Sequence, residues 1–279
     1  MNNITNIMNS YNLHQEFLED TYIDPLDGLA HCKRCHKPRQ KVYPFMDSTK
    51  KLPFPCPCIE DRWDQEDALR ESRELMTQIS KLKSDGLQDK ALYRCTFAND
   101  EGYNPQISII RAYVEGWEKM KSKCMGLLLW GATGTGKTFM AGCIANALID
   151  QCIPVLMTNT KTVLDRLKDL YSEERFVFLK GLRKYELLIW DDFGANRETL
   201  FSLQLIYRVI DDWYRTQKPL IITTNLTLEE LKKPPDVNYA RIYSRILELC
   251  VPIKINNMNI RDLKAKSQLS DIKAMIDPA

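Results

Sequence analysis

The chain has 279 residues, of which 44% are apolar, and a formal net charge of only +2 from 39 Lys and Arg against 37 Asp and Glu. A chain of this length and apolar content predicts one main core with a smaller appendage. The near-zero net charge implies neither a nucleic-acid nor a membrane partner by itself, so any binding patch must come from a local arrangement of charge.

The first residues, MNNITNIMNSYN, have no basic start followed by an apolar run. No later segment approaches the roughly 18 consecutive apolar residues of a membrane span. We therefore expect a cytoplasmic protein with no membrane partner. The nine cysteines are an odd number for an intracellular chain, which favours free thiols or a metal site over disulfides.

Four cysteines lie within the first 60 residues, in a stretch rich in Pro, Lys and Arg and poor in aliphatic side chains. Cys32 and Cys35 form a C-x2-C pair, and after twenty intervening residues Cys56 and Cys58 form a C-x-C pair. Four thiolates in two close pairs can surround one tetrahedral Zn²⁺, and so short a segment would gain much of its folding energy from the metal. We predict a zinc-binding module over residues 1–59, with these four cysteines as its ligands.

Other side chains near the cysteines leave alternatives open. His31 and His36 flank the first pair and could replace a thiolate, although a histidine beside such a pair is more often a surface residue. Between His31 and Lys51 the module carries seven Lys and Arg, with Asp47 as its acid, which suits either phosphate contacts or a solvated face. The five remaining cysteines are scattered along core elements, where buried free thiols are expected.

A charged segment without Gly or Pro follows, EDRWDQEDALRESRELMTQISKLK at 60–83, with apolar residues at roughly helical spacing. This pattern predicts a helical connector that is broken by SDG at 84–86. The predicted organisation is therefore the N-terminal module at 1–59, a helical linker at 60–91 and the main domain at 92–279.

Short apolar runs alternate with helical stretches in the main domain. The runs are GLLLW at 126–130, IPVLMT at 153–158, YELLIW at 185–190, PLIITT at 219–224 and VPIKI at 251–255. Continuous apolar strands that alternate with helices indicate a parallel sheet covered on both faces. The predicted fold class is α/β, with a parallel five-stranded sheet flanked by helices.

The segment after the first run, GATGTGKT, fits the phosphate-loop pattern G-x-x-x-x-G-K-[ST]. Glycines let backbone N–H groups curl round phosphate oxygens, and the N-terminus of the next helix adds partial positive charge. Lys137 would reach the β- and γ-phosphates of ATP, and the Thr138 hydroxyl would ligate Mg²⁺. The alternative is a glycine-rich turn between core elements. The predicted nucleotide-binding residues here are Gly131, Ala132, Thr133, Gly134, Thr135, Gly136, Lys137, Thr138 and Phe139.

Polar residues follow two later strands. In LLIWDDFG, Asp191 would bind Mg²⁺ through its water shell and Asp192 would orient or deprotonate the attacking water. In LIITTNL, Asn225 could position the same water. Acidic strand ends and polar turn residues are common in any protein, so these roles depend on the phosphate loop beside them.

This succession of motifs, completed by RIYSR before the last strand, resembles the AAA+ ATPases, which are P-loop NTPases. More narrowly, GLLLWGATGTGKT, LLIWDDFG, PLIITTNLTLEEL and RIYSRILELC look like the DnaC/IstB-type branch, which includes helicase loaders and transposition helper ATPases. The resemblance covers about Cys95 to Ile255. It implies that Asn225 is the sensor-1 residue and Arg245 the arginine finger, with Arg241 as the second candidate. Since such a finger completes the active site of a neighbouring subunit, we expect a homo-oligomer in the ATP state; ordinary ion pairs are the alternative.

Two departures from the family pattern bear on the rate of ATP hydrolysis. Many AAA+ proteins have Glu at the position of Asp192, and the shorter side chain predicts slow hydrolysis. After VPIKI only roughly two dozen residues remain, too few for the C-terminal helical lid with its second sensor arginine. Both features suit a slow ATPase that a partner or DNA stimulates.

The segment between the second and third strands is basic and carries two aromatic residues, Tyr171 and Phe176. In the resembled proteins this region faces the pore of the assembly and touches single-stranded DNA, where basic and stacking groups serve together; lysines at this density are also ordinary on helices. The basic residues are Lys161, Arg166, Lys168, Lys180, Arg183 and Lys184.

The resemblance implies an ATP-dependent loader that delivers a replicative DNA helicase onto single-stranded DNA during replication initiation. It also implies that the N-terminal region grips the helicase. Two alternatives stay open: an IstB-like transposition helper that directs a transposase, and a nucleotide-gated DNA-binding adaptor with negligible hydrolysis.

Overall fold

The computed structural model describes residues 20–45, 48–194, 198–256 and 259–276. The chain divides into two compact units, Met1–Met76 and Thr77–Ala279. The first 19 residues of the predicted 1–59 module lie outside the described residues, and the division into 1–59, 60–91 and 92–279 stays a prediction. No helix in the described parts of the chain combines the length and apolar character needed to cross a membrane.

Two antiparallel hairpins and the start of a long helix form the first unit. Strand β1 (Thr21–Ile23) pairs with β2 (Ala30–Cys32), and β3 (Gln40–Phe45) pairs with β4 (Ser48–Pro53). Helix α1 (Pro57–Gly86) begins with proline, which suits a first helical turn because its missing N–H would have no partner there. The helix continues through the predicted SDG break and ends at the last residue of that segment, so the predicted end of the helix is right to within a few residues.

The second unit contains a five-stranded sheet in the order β6-β7-β8-β5-β9, and each neighbouring pair is parallel. This confirms the predicted α/β class and its parallel five-stranded sheet. The strands are β5 (Gly126–Trp130), β6 (Val155–Asn159), β7 (Leu187–Phe193), β8 (Leu220–Thr224) and β9 (Cys250–Lys254).

Alternate residues of the apolar strands enter two separate cores, because successive side chains of a strand point to opposite faces. On β5, Leu128 belongs to one buried cluster and Leu129 to the other; on β7, Leu188 and Ile189 divide in the same way. Both faces of the sheet are therefore buried, which explains why the strands read as continuous apolar runs.

Helices cover each face. One face packs against α2 (Ile107–Glu115), α3 (Trp117–Ser122) and α4 (Lys137–Ile149). The other packs against α5 (Thr160–Lys168), α6 (Ser172–Leu182), α7 (Leu200–Arg215), α8 (Leu228–Lys232) and α9 (Val237–Leu249). One helix, α10 (Ile260–Ile276), follows the last strand. Since parallel strands end at one edge of the sheet, the loops after β5, β7 and β8 meet there.

Candidate functional site

The predicted phosphate loop joins β5 to α4 at the carboxyl edge of the sheet. Gly136, which precedes α4, has a φ of +94°, and a Cβ atom there would lie 2.4 Å from Asn104 Nδ2. Asn104 Nδ2 donates to the carbonyl oxygen of Thr135 (3.0 Å), and Thr135 Oγ1 donates to that of Ala132 (2.9 Å). The loop is thus held curled at a helix N-terminus, whose N–H groups lack partners within the helix and suit an anion.

Lys137 is the first residue of α4 and is buried, with 7% of its surface exposed. Its Nζ donates to the carbonyl oxygens of Gly131 (2.9 Å) and Ala132 (2.7 Å) and to Asn225 Oδ1 (2.8 Å). Burial lowers the pKa of Lys137, and this effect is opposed by the nearby Asp192 carboxylate. The ammonium group is therefore placed in a confined, polar position where an anion would stabilise its charge.

Asp191 lies beside the start of α4. It accepts hydrogen bonds from Thr138 Oγ1, at 3.0 Å to Oδ1, and from Thr223 Oγ1 at 2.6 Å. Burial is the main reason that the pKa of Asp191 is raised, and the two hydroxyl contacts act against it. The Thr138 hydroxyl and the Asp191 carboxylate are neighbouring oxygen ligands of the kind that Mg²⁺ prefers. The two residues therefore fit the predicted magnesium ion.

Asp192 sits in a β-bulge. Trp190 pairs with Ile222 and Phe193 with Thr224, so two residues of β7 oppose one residue of β8. The φ of Asp192 is +51°, a left-handed conformation that is unusual outside glycine. Asn225 Nδ2 donates to its Oδ1 at 3.2 Å. The bulge lets both consecutive carboxylates reach the same pocket, whereas a regular strand would point them to opposite faces.

These residues line one cavity of about 430 Å³. The structure brings together the predicted Lys137, Thr138, Asp191, Asp192 and Asn225 at this cavity. Two further segments form its walls, and sequence reasoning assigned no role to them. Their lining residues are Asn99, Asp100, Glu101, Tyr103 and Asn104 before α2, and Ile260, Arg261 and Lys264 in α10. No local pattern marks these residues, because their position depends on long-range folding.

The predicted arginine finger lies elsewhere in the same chain. Arg245 on α9 forms an ion pair with Asp211, and its guanidinium stacks over Tyr207 at 4.8 Å and Tyr214 at 5.5 Å. Only 23% of its side-chain surface is exposed, whereas Arg241 is exposed. Among the described residues that line the cavity, neither arginine occurs.

The four predicted zinc ligands converge in the first unit. The Sγ atoms of Cys32, Cys35, Cys56 and Cys58 all lie within 4.8 Å of one another. Tetrahedral zinc, with Zn–S bonds of about 2.3 Å, holds its sulfurs roughly 3.8 Å apart, so the cluster fits the ion. The backbone N–H of Lys37, together with contacts from the neighbouring thiols, lowers the pKa of Cys35 to about 7, whereas the hydrogen bond with Cys35 raises the pKa of Cys58 to about 11. Without a cation the four thiols therefore do not ionise together, and a bound metal would be needed to hold them all as thiolates.

Both ring nitrogens of His31 are engaged away from this cluster. Nδ1 donates to the carbonyl oxygen of His36 (3.0 Å) and Nε2 donates to Asp27 Oδ2 (2.8 Å). The Asp27 carboxylate, as the largest influence, raises the pKa of His31. Nδ1 of His36 lies 3.2 Å from the Tyr22 hydroxyl. The arrangement favours four thiolates over a histidine as the donor set.

The predicted DNA-contacting region forms an exposed surface on α5, α6 and the loops beside them. Tyr171 and Phe176 expose 82% and 59% of their surface. Arg183 pairs with Asp212, so part of its charge is neutralised. The six basic residues of this region, Lys161, Arg166, Lys168, Lys180, Arg183 and Lys184, are all exposed.

Comparison with known proteins finds a family and several relatives. Residues 57–269 match the family model described as IstB-like ATP binding protein. Over 148 residues the chain is 28% identical to the replicative helicase loader DnaC of Escherichia coli K12, covering 50% of this chain and 58% of the relative. Over 153 residues it is 30% identical to the replicative helicase loader DnaI of Bacillus subtilis strain 168, covering 50% of this chain and 48% of the relative.

Among solved structures, the crystal structure of the DnaC helicase loader superimposes with a TM-score of 0.51 and 26% identity. The match covers 60% of this chain and 100% of that chain. The chain spans about half the length of the curated relatives that it matches. The residues matched by the family model include all those that line the cavity described above.

Proposed function

We propose, from the premise that this chain belongs to the family of IstB-like ATP-binding proteins, that it is an ATP-dependent loader that delivers a replicative DNA helicase onto single-stranded DNA. The observation that carries the proposal is the cavity in which Lys137, Thr138, Asp191, Asp192 and Asn225 meet. Similarity to proteins named as replicative helicase loaders supports the finer assignment.

ATP binding follows from the groups around the phosphate loop. The oxygens of the β- and γ-phosphates would replace the carbonyl and amide oxygens that Lys137 Nζ now contacts, and the N-terminus of α4 would add partial positive charge. Thr138 and Asp191 would hold Mg²⁺, which neutralises phosphate charge when it is bound. The exchange favours an ionised Lys137, since a phosphate compensates its burial better than neutral oxygens do.

Hydrolysis would depend on Asp192 and Asn225. Asp192 would orient or deprotonate the attacking water, and Asn225 would position that water. In the structure Asn225 bonds to both Lys137 and Asp192, so ATP must first break this arrangement. The side chain of Asp192 is short and accepts a hydrogen bond from Asn225, and both features support slow ATP hydrolysis.

Arg245 would complete the site of a neighbouring protomer in an ATP-bound homo-oligomer. In its own protomer the guanidinium is paired with Asp211 and stacked on tyrosines, so assembly must draw it out. This requirement supports stimulation by a partner or by DNA, because the free protomer holds the finger in another contact.

The DNA and helicase contacts are assigned to different regions. The exposed aromatic and basic surface of α5 and α6 would track single-stranded DNA, with Tyr171 and Phe176 as stacking platforms. The cysteine module would grip the replicative helicase and hold zinc through its four thiolates. ATP would favour the assembled, DNA-gripping state, and hydrolysis would release it.

A transposition helper remains the second candidate, since the matching family is described as IstB-like. Affinity purification of the tagged full chain from its native host separates the two: recovery of a replicative helicase supports the loader, and recovery of a transposase overturns it. The third candidate, an adaptor with negligible hydrolysis, predicts tight ATP binding and no turnover with or without single-stranded DNA.

The arginine finger can be tested by mixing variants. Arg245→Ala should abolish ATP turnover while ATP binding is kept, and Lys137→Ala should abolish both. A mixture of the two variants should recover part of the turnover, because the Lys137→Ala protomer can donate its Arg245 to an intact neighbouring site. The control is Arg215→Ala, which removes the other arginine that pairs with Asp211; it should leave turnover near the wild-type rate. A mixture that stays inactive would contradict a finger supplied between protomers.

A further inference from the structure

A second cavity, of about 200 Å³, lies within the second unit between α5, α6 and the face of the sheet that these helices cover. Its floor consists of buried apolar side chains from two strands and a helix: Leu156 of β6, Leu188 of β7 and Val209 of α7. Cavities that hold drug-sized ligands measure roughly 300–1,000 Å³. The smaller volume here suits a single ring system.

Two aromatic residues give the wall of this cavity a surface suited to stacking. Tyr185 is buried, with 7% of its surface exposed, and Phe178 is half-buried. The Thr158 hydroxyl and the Gln88 amide add groups that can donate and accept hydrogen bonds. An occupant that is apolar on its faces and polar at its edge would match both kinds of wall. A nucleobase has this combination.

The rim of the cavity carries two positive charges. Arg166 and Lys184 both line the cavity, and both are exposed. Lys184 Nζ lies 4.9 Å from the centroid of the Tyr185 ring, so one cation stands beside an aromatic wall. Its neighbour in sequence, Arg183, is paired with Asp212. Among the described residues, no acid forms an ion pair with Arg166 or Lys184, so their charge is available to phosphates.

The rim also contains a glycine that the packing of the protein does not require. Gly181 lies in the last turn of α6 without a positive φ, and a Cβ there would meet no heavy atom within 4 Å. A glycine inside a helix is destabilising relative to alanine. Because neither the backbone nor a close neighbour explains it, we connect the missing side chain with the cavity, whose rim it leaves unobstructed.

We propose that this cavity binds one base of single-stranded DNA, turned out of the base stack, while Arg166 and Lys184 contact the phosphates that flank it. The proposal rests on the DNA-binding surface of the proposed function and deepens it, since that surface consists of exposed residues alone. A base is favoured over an aromatic side chain of a protein because two cations at the rim match the phosphates on either side of every base. Turning a base out costs least in a single strand, where no base pair must be broken.

The test measures the binding of short oligodeoxynucleotides to the full chain by fluorescence anisotropy, with a non-hydrolysable ATP analogue and Mg²⁺ present. In the shortest oligonucleotide that binds with full affinity, an abasic residue replaces one position at a time, which removes the base and keeps the phosphates. At one position this change should weaken binding about tenfold, as expected for one stacked base.

The variant Phe178→Leu removes an aromatic ring of the cavity wall and keeps an apolar side chain. In this variant the abasic residue at the sensitive position should make no further difference. At positions that stack on Tyr171 or Phe176, the loss should be equal in the variant and the wild type. The matched control is Phe201→Leu, which changes an exposed phenylalanine of α7 outside the cavity lining and should keep the tenfold loss.

Thermal unfolding without ligands checks that Phe178→Leu folds. If it does not, Gly181→Leu is the second variant, because it adds a side chain at the rim without a clash and should remove the same abasic effect. The proposal is overturned if every abasic position costs these variants as much affinity as it costs the wild type. It is also overturned if they bind DNA normally but no longer capture the replicative helicase, since the cavity would then hold a protein side chain. If the wild type binds no single-stranded DNA, the DNA contact of the proposed function is wrong as well.

Discussion

Replacement of Asp192 by Asn isolates the chemistry of the carboxylate from its structural role. The side chain lies in a β-bulge at a φ of +51°, and Asn adopts this conformation as readily as Asp does. The amide oxygen of the variant can still accept the hydrogen bond from Asn225 Nδ2. The substitution therefore removes the charge and the proton acceptor and leaves the backbone unchanged.

The expected magnitudes differ sharply between turnover and folding. General-base assistance is worth about 10²–10⁴-fold in rate, or roughly 2.7–5.4 kcal/mol of activation free energy. The free energy of unfolding should change by less than about 0.5 kcal/mol in Asp192→Asn. Asp192→Ala should lose the same turnover and also about 1 kcal/mol of stability, because alanine tolerates a positive φ poorly. ATP affinity should stay equal or rise, since a negative charge near the phosphates is removed.

The assay combines steady-state phosphate release at saturating ATP with calorimetric binding and urea denaturation. Asp191→Asn serves as the comparison, because it should lose Mg²⁺-dependent ATP binding itself. If Asp192→Asn keeps more than about one tenth of the wild-type turnover, the assignment of Asp192 as the water-activating group is refuted. A parallel loss of ATP affinity would instead indicate that the side chain helps to bind nucleotide.

Three further outcomes are expected. Burial raises the pKa of Asp191 above its unfolded value, so its ionised form costs stability at neutral pH. This cost declines as the pH falls below the folded pKa and disappears below the unfolded pKa. Without ligands, Asp191→Asn should therefore melt at a higher temperature than the wild type at pH 7, and the difference should disappear in acid. Gly134 has a φ of +81°, and a Cβ there would lie 2.0 Å from a side-chain oxygen, so Gly134→Ala should lower the free energy of unfolding, measured in urea, by about 1–2 kcal/mol. Gly181 lies inside α6 with open space around it, so the control variant Gly181→Ala should raise the free energy of unfolding by roughly 0.5–1 kcal/mol. Cys58→Ser should reduce the bound zinc, measured by atomic emission, from about one ion per chain to nearly none, and it should make the first unit sensitive to limited proteolysis. The control variant Cys152→Ser should keep the zinc.

The sequence by itself determined the features that depend on local spacing. The apolar run at 126–130 is β5, with the same bounds. The glycine pattern of the phosphate loop predicted that Lys137 and Thr138 belong to the candidate site, and both residues line the cavity. The two cysteine pairs likewise identified the residues whose sulfurs converge. In each case, residues a few positions apart carry the information, since strand period, loop curvature and ligand spacing are properties of short segments.

Only the tertiary structure decided which distant segments meet. The β-bulge that directs Asp192 into the pocket exists because β7 pairs with β8, and no pattern within β7 reveals that pairing. Arg261 and Glu101 reach the pocket from opposite ends of the unit, and Asp211 engages Arg245 from another helix. These arrangements depend on strand order and helix packing, which are set by contacts between residues far apart in the chain.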